Sequence, residues 1–215
     1  MRIAFVTAMD IEYRHLVAML GGDTGHHGNH DVVVCQSGIG KVNAALTVQQ
    51  LIATHHPDAV VSTGLAGGLA AQLKPGDMVV ASATAYHDVW CGMGNVWGQV
   101  QGLPARFEGD SRLLDMCRRV ESATHVVEGL IVTGDQFIQD PAAREAILQK
   151  QPDALACDME SAAIAQTCHL LKTPFLSMRL ISDTPGTDGH QVQWETFLSN
   201  MSEQSFTWIK AFLEK

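Results

Sequence analysis

Positive charge is scarce in this chain: 14 Lys and Arg stand against 23 Asp and Glu, a formal charge of −9. So acidic a balance argues against a nucleic-acid backbone or an anionic membrane as the main partner. It leaves room for a small neutral or cationic ligand. Long apolar runs are missing too. No stretch reaches the roughly 20 residues that a bilayer-spanning helix needs. The apolar run after Arg2 is short, meets Asp10 and Glu12, and has no small-residue cleavage site, unlike a signal peptide. A cytoplasmic protein is expected. Cysteine is sparse and scattered, at Cys35, Cys91, Cys117, Cys157 and Cys168. That odd, scattered set, mostly inside apolar runs, reads as buried free thiols in a reducing compartment rather than a disulfide framework. No pair is spaced as in a zinc site, and no His, Asp, Glu and Cys set has ligand spacing. Neither metal nor cofactor is expected. A phosphate-cradling loop is absent as well. Ser37-Gly38-Ile39-Gly40-Lys41 lacks the P-loop spacing and its Lys-Ser/Thr ending. It also lacks the third glycine of a dinucleotide fingerprint.

What is present is a globular composition, 46% apolar and 17% charged over 215 residues. With no repeat or linker, that length suits one domain, residues 1–215. Short β-rich runs alternate with helical patterns. Strands are predicted over 3–7, 32–36, 59–63, 78–85, 130–133, 155–158 and 175–181. Several are continuously apolar, as strands buried on both faces are. Helices are predicted over 11–20, 41–54, 112–120, 141–150, 161–171 and 194–213. The last has Trp194, Phe197, Leu198, Met201, Trp208, Ile209 and Phe212 mainly on one face. Asp140-Pro141 reads as an N-cap followed by proline at the first helical position. The alternation implies an α/β fold with a mixed, mainly parallel sheet covered by helices. The least regular stretch, 86–109, is long enough to be functional or to sit at an interface.

Ligands of such sheets bind beyond the carboxyl ends of the strands. Carboxylates and glycines recur there. Each has a bland reading beside the functional one. Asp10 can cap the first helix, with Glu12 complementing its dipole. Glu160 opens another helix after Asp158. Asp183 stands in good turn chemistry, Ser182-Asp183-Thr184-Pro185-Gly186. Thr63-Gly64-Leu65-Ala66-Gly67-Gly68 reads as a tight turn or as backbone close to a ligand. The pairs His26-His27 and His55-His56 read as solvated surface. His87-Asp88 is either a structural pair or a site element. Together, Glu12, Glu160 and Asp183 put three carboxylates on one rim.

In these rim motifs the chain resembles the 5′-methylthioadenosine/S-adenosylhomocysteine nucleosidases, of the purine-nucleoside phosphorylase and hydrolase superfamily. The motifs run in order, nearly end to end: Ala8-Met9-Asp10-Ile11-Glu12, Ser37-Gly38-Ile39-Gly40-Lys41, the 63–68 glycine tract, Gly76-Asp77, Tyr86-His87-Asp88, Thr133-Gly134-Asp135-Gln136-Phe137-Ile138, Asp158-Met159-Glu160-Ser161-Ala162-Ala163-Ile164-Ala165 and Arg179-Leu180-Ile181-Ser182-Asp183. The resemblance implies a single-domain, three-layer α/β/α fold. It implies that Glu12 activates water and that Asp183 protonates purine N7. Glu160 would bind the ribose hydroxyls, with Met159 packed beside it. Phe137 would stack on the base, and the Ile138 backbone would read its edge. Met9, Ile39, Ala66, Gly67 and Ser182 would line the nucleoside site. Arg179 would lie near the water, and Trp194 near the 5′ substituent. The 90–107 segment would reach the neighbouring subunit's site in a homodimer, through Leu103 and Pro104. One departure is Leu65, where some members have Ser.

The implied chemistry needs these residue types. Breaking an N-glycosidic bond builds positive charge on the ribose and negative charge on the base, so one acid and one water-activating carboxylate suffice. Burial is expected to raise the pKa of Asp183 so that it carries a proton near neutrality. A carboxyl at N7 also reaches the exocyclic amine, which favours adenine. Phosphorolysis needs several cations around a dianion. The rim offers Arg179 and Lys41, and the 63–68 tract is uncharged where superfamily phosphorylases carry an arginine. Hydrolysis is therefore the expectation, with methylthioadenosine and S-adenosylhomocysteine as substrates. The alternatives are a futalosine or aminofutalosine hydrolase, a purine nucleoside phosphorylase, and a nucleoside-binding protein without activity.

Overall fold

The computed structural model describes residues 1–201 and 203–215. Among them, nine strands form one sheet. Strand β1 (Arg2–Thr7) lies between β3 (His30–Gln36) and β4 (Ala59–Gly68), parallel to both. The short β2 (Thr24–His27) closes that edge antiparallel to β3. On its other side β4 pairs in parallel with β9 (Phe175–Asp183). Strand β9 then pairs antiparallel with β5 (Met78–Tyr86), and β5 runs parallel to β7 (Val126–Thr133). From β7 the sheet continues to β8 (Ala154–Asp158), which returns to the end of β4 at Gly67 and Gly68. The path β4–β9–β5–β7–β8–β4 thus closes into a ring. The two-residue β6 (Phe107–Glu108) pairs with β5 outside it.

Helices cover both faces. Along β1 the side chains alternate by the two-residue period of a strand. Ile3 and Phe5 face a cluster with Leu16 and Leu20 of α1 (Asp10–Leu20) and Leu113 of α3 (Ser111–Arg118). Trp208, Ile209 and Phe212 of α7 (Thr207–Leu213) complete that cluster. Ala4 and Val6 face the other way, onto Ala44, Val48 and Leu51 of α2 (Lys41–His55) and Ile164 of α5 (Ser161–Leu171). Burial on both faces explains the continuous apolar runs at 3–6 of β1 and 59–61 of β4. The architecture is the expected three-layer α/β/α. None of the helices is long and apolar enough to cross a membrane, among the described residues.

The elements differ from the sequence reading at four places. The 63–68 tract is no turn but the second half of β4, which reaches Gly68. The predicted 194–213 helix is two helices, α6 (His190–Asn200) and α7, separated by extended backbone at Met201 (φ −62°, ψ 136°) and a 3₁₀ turn, Glu203–Phe206. The pair His26-His27 is on the surface as expected, but as part of an unpredicted edge strand, β2, where His26 contacts Asp31 at 3.1 Å. Asp10 does not cap α1. It lies inside the first turn and pairs with Arg14 at 2.6 Å. The Asp140 cap holds: its carboxylate accepts from Ala143 N at 2.8 Å and α4 (Pro141–Lys150) starts on the proline.

Candidate active site

The strand ends meet at one cleft, with a cavity volume of about 120 Å³ and partly open to solvent. Its walls include Glu12, Met9, Ile39, Ala66, Gly67, Phe137, Ile138, Met159, Glu160, Arg179, Ser182, Asp183 and Trp194, all singled out in the sequence. Leu103 and Pro104 do not line it. Leu103 packs against the α2–α5 cluster and Pro104 is exposed. Ala8, Leu65, Gln136, Cys157, Asp158 and Pro185 complete the wall. Of these, Cys157 had been read only as a buried thiol. Its place at the end of β8, one residue before Asp158, was the signal for it.

Glu12 enters the cleft from the first turn of α1. Its carboxylate accepts three backbone N–H groups: Ala8 at 3.0 Å, Met9 at 2.9 Å and Leu65 at 2.8 Å. Glu12 therefore caps its own helix while facing the cleft, so its structural role does not exclude a chemical one. Burial pushes its pKa up, and Arg179 and these N–H groups pull it back. Gly64 makes room for it. The backbone there has φ +140°, and a Cβ would lie 2.5 Å from Glu12 Oε1. Only glycine meets both demands. Leu65 contributes its N–H to Glu12, while its side chain joins the apolar cluster beneath α1.

Arg179, on β9, is fully buried among carboxylates. Its Nε lies 2.8 Å from Asp158 Oδ2, and Nη2 lies 3.5 Å from Glu160 Oε2. Nη2 also donates to Ser62 Oγ at 2.9 Å. Asp158 is held in turn by the Thr133 and Ser161 hydroxyls and caps α5 through the N–H groups of Glu160 and Ser161. Glu160 is thus free of capping. Its Oε1 accepts from Gly40 N at 2.9 Å, and burial raises its pKa to about 7 against the pull of Arg179.

Asp183 is placed by a bulge. Ala66 pairs with Ile181 and Gly67 with Asp183, so Ser182 is the extra residue on β9. Bulges re-aim side chains in this way. Ser182 Oγ donates to Asp183 Oδ1 at 2.5 Å. Burial raises the Asp183 pKa, and Ser182 and His190 oppose the rise. Glu12 is anchored at Leu65 and Asp183 at Gly67. Two residues of strand separate those anchors, roughly 7 Å at the usual rise.

The other rim cation is also engaged. Lys41 Nζ lies 2.8 Å from Asp88 and 3.8 Å from Asp135, and Asp88 accepts from Asp135 N at 2.9 Å. His87-Asp88 is therefore part of a clamp on the 38–41 loop that positions Gly40 beneath Glu160. The aromatic wall is mutual: Phe137 and Trp194 meet edge to face at 5.5 Å. Among the described residues there is no cluster of three or more His, Cys, Asp or Glu side chains arranged for a metal.

A cleft with this carboxylate set, joined to this topology, can be compared with known proteins. The Phosphorylase superfamily profile matches residues 3–214. A 5′-methylthioadenosine/S-adenosylhomocysteine nucleosidase of Chromohalobacter salexigens is 38% identical over 229 aligned positions, spanning all of this chain and 97% of the relative. The chain belongs to the 5′-methylthioadenosine/S-adenosylhomocysteine nucleosidase family of the phosphorylase superfamily. Solved nucleosidases of this family share its fold. The S. pneumoniae structure with the transition-state inhibitor MT-ImmA superposes with a TM-score of 0.91 at 34% identity, covering 100% of this chain and 99% of that one. The Colwellia psychrerythraea structure in complex with adenine gives 0.88 at 35% identity, covering 99% and 94%.

Proposed function

We propose that this nucleosidase hydrolyses the N-glycosidic bond of 5′-thio-substituted adenine nucleosides, methylthioadenosine and S-adenosylhomocysteine, and releases adenine. Glu12 acts as the base that activates water and Asp183 as the acid that protonates N7. Glu160 holds the ribose hydroxyls. Phe137 stacks on the purine, the Ile138 backbone meets its edge, and Met9, Ile39, Met159 and Trp194 form an apolar wall for the thioether arm. The protein works in the cytoplasm as a homodimer, with Leu103 and Pro104 of the 90–107 segment reaching the partner's site. Exposed Trp90, Met93 and Val96 on that segment, and Val42 and Leu46 on α2, support an apolar interface.

The observation that carries hydrolysis over phosphorolysis is the charge around Arg179. A phosphate dianion placed there would meet Asp158, Glu160 and Glu12 with one guanidinium among them. Lys41 is already neutralised by Asp88 and Asp135. A neutral water suits that setting and a dianion does not. The 63–68 tract adds no cation. The test is adenine release from methylthioadenosine, adenosylhomocysteine, 5′-deoxyadenosine, aminofutalosine and inosine, with and without phosphate. Turnover of the two thioethers at a phosphate-independent rate is expected. Strict phosphate dependence would refute hydrolysis, and preference for aminofutalosine would reassign the 5′ pocket.

A further inference from the structure

Asp183 has two oxygens, and the protein treats them differently. Oδ1 accepts from the Ser182 hydroxyl at 2.5 Å. Oδ2 faces Nε2 of His190 at 2.9 Å. Both side chains are deeply buried, Asp183 with 2% and His190 with 4% of its surface exposed. Neither Oδ2 nor Nε2 is hydrogen-bonded to any other group among the described residues. The contact lies off the hydrogen-bonding direction, so one side chain must turn slightly to align it. His190 opens α6, entered through Gly189 at φ +79°, and its N–H donates to Thr187 O at 3.1 Å. It does not line the cleft. It stands behind Asp183 with its ring 5.5 Å from that of Phe137, which does line it.

We propose that His190 is a positioning residue for Asp183, and that the pair jointly holds the proton delivered to the purine. The proposal rests on the hydrolytic reading above. In one arrangement Asp183 carries the proton and neutral Nε2 accepts from it. In the other, imidazolium faces carboxylate. When N7 takes a proton, the Asp183 O–H bond breaks and the N7–H bond forms. Where the pair starts as imidazolium and carboxylate, the proton passes from Nε2 to Oδ2 before that transfer, which leaves carboxylate beside neutral imidazole until a proton is taken up from solvent. Two groups sharing one proton bind it more tightly than either does alone. A charged His190 pulls the Asp183 pKa down, yet the proton that Asp183 gives up is kept on Nε2, so the pair as a whole stays loaded to higher pH than an isolated Asp183.

The surrounding groups leave the pair this role. From β8, Cys157 lies beside Asp183, and burial pushes its thiol far up, so it stays neutral. From α4, Arg144 donates to Leu69 O at 2.5 Å and faces Cys157. On α6 itself Glu195 is engaged by Gln191 at 2.8 Å. Asp188, in the preceding turn, is exposed.

The test is the pH profile of kcat/KM for methylthioadenosine hydrolysis in wild type, His190→Phe and His190→Gln. Glutamine can still contact Oδ2 but cannot carry the proton. In both variants the basic limb is expected to move about one unit or more to lower pH, with kcat at pH 8 falling about tenfold and KM nearly unchanged. A merely structural role would be rescued by glutamine and would leave the limb in place. Limbs that stay put in both variants would overturn the proposal. A second readout does not need turnover. The His190 ring nitrogens are titrated by NMR in wild type and in Asp183→Asn, where the His190 step is expected at lower pH. A coupled titration in a protein that fails to hydrolyse nucleosides would sink the hydrolytic reading and keep the pair. Hydrolysis with an uncoupled His190 would do the reverse.

Discussion

Gly64 is where backbone conformation and chemistry meet. A side chain there would be strained at φ +140° and would push against the Glu12 carboxylate. Gly64→Ala is expected to keep the fold by circular dichroism and lose at least about a hundredfold in kcat, the usual scale for a misplaced general base. Near-wild-type kcat would show that Glu12 tolerates displacement. The raised carboxyl groups set the pH dependence. As the proposed base Glu12 acts ionised, and its pKa is raised, so activity is expected to fall as pH drops through that value. As the proposed acid Asp183 acts protonated, so activity is expected to fall again as pH rises through its raised value. A bell-shaped kcat/KM is expected, and Glu12→Gln should flatten it by abolishing turnover while an adenosine analogue still binds. Glu160 makes a stability prediction. Its pKa is about 7 when folded against 4.5 ordinarily, so the native state holds this proton more tightly than the unfolded chain. That contribution is complete below about 4.5 and lost as pH rises through about 7. Glu160→Gln carries no such loss. Its Tm should therefore gain on wild type by a few degrees between pH 5 and pH 8, while ribose binding weakens. A constant or shrinking gap would contradict this. At this scale the three carboxylates were legible in the sequence and His190 was not. Six residues of turn separate it from Asp183, and only the packing of α6 on β9 brings them together.

Elements were legible where burial is two-sided and illegible where pairing is tertiary. The apolar runs of β1, β5 and β9 and the capped α4 emerged close to their true bounds. The glycine tract did not. Its propensity favours a turn, yet β9 and β8 pair with it and make it strand. Strand β2 is a polar, four-residue edge that exists because β3 offers it a ladder. The split between α6 and α7 was hidden because apolar residues persist at helical spacing across Met201. The Asp140 cap gives the clearest test at this level. Asp140→Ala should cost about 1 kcal/mol in urea unfolding, the usual worth of such a cap. A loss within error would mean that Pro141 alone fixes the start of α4.

For the whole molecule, the ring of β4, β9, β5, β7 and β8 brings distant sequence to one rim. Glu12, Glu160 and Asp183 are far apart in the chain and share one cleft. Composition limited the partners, family motifs named the substrate class, and the fold showed why the rim cations are unavailable to phosphate. The proposed homodimer is expected to appear as twice the chain mass in light scattering. Leu103→Ala with Pro104→Ala should raise KM for the thioether nucleosides without changing mass. The central claim is hydrolysis, and product analysis tests it most directly. Methylthioadenosine is incubated with the enzyme in phosphate-free buffer and again in millimolar phosphate, and the sugar product is identified by mass spectrometry. Adenine and free methylthioribose at equal rates in both buffers are the predicted result. Methylthioribose 1-phosphate, formed only when phosphate is present, would contradict it.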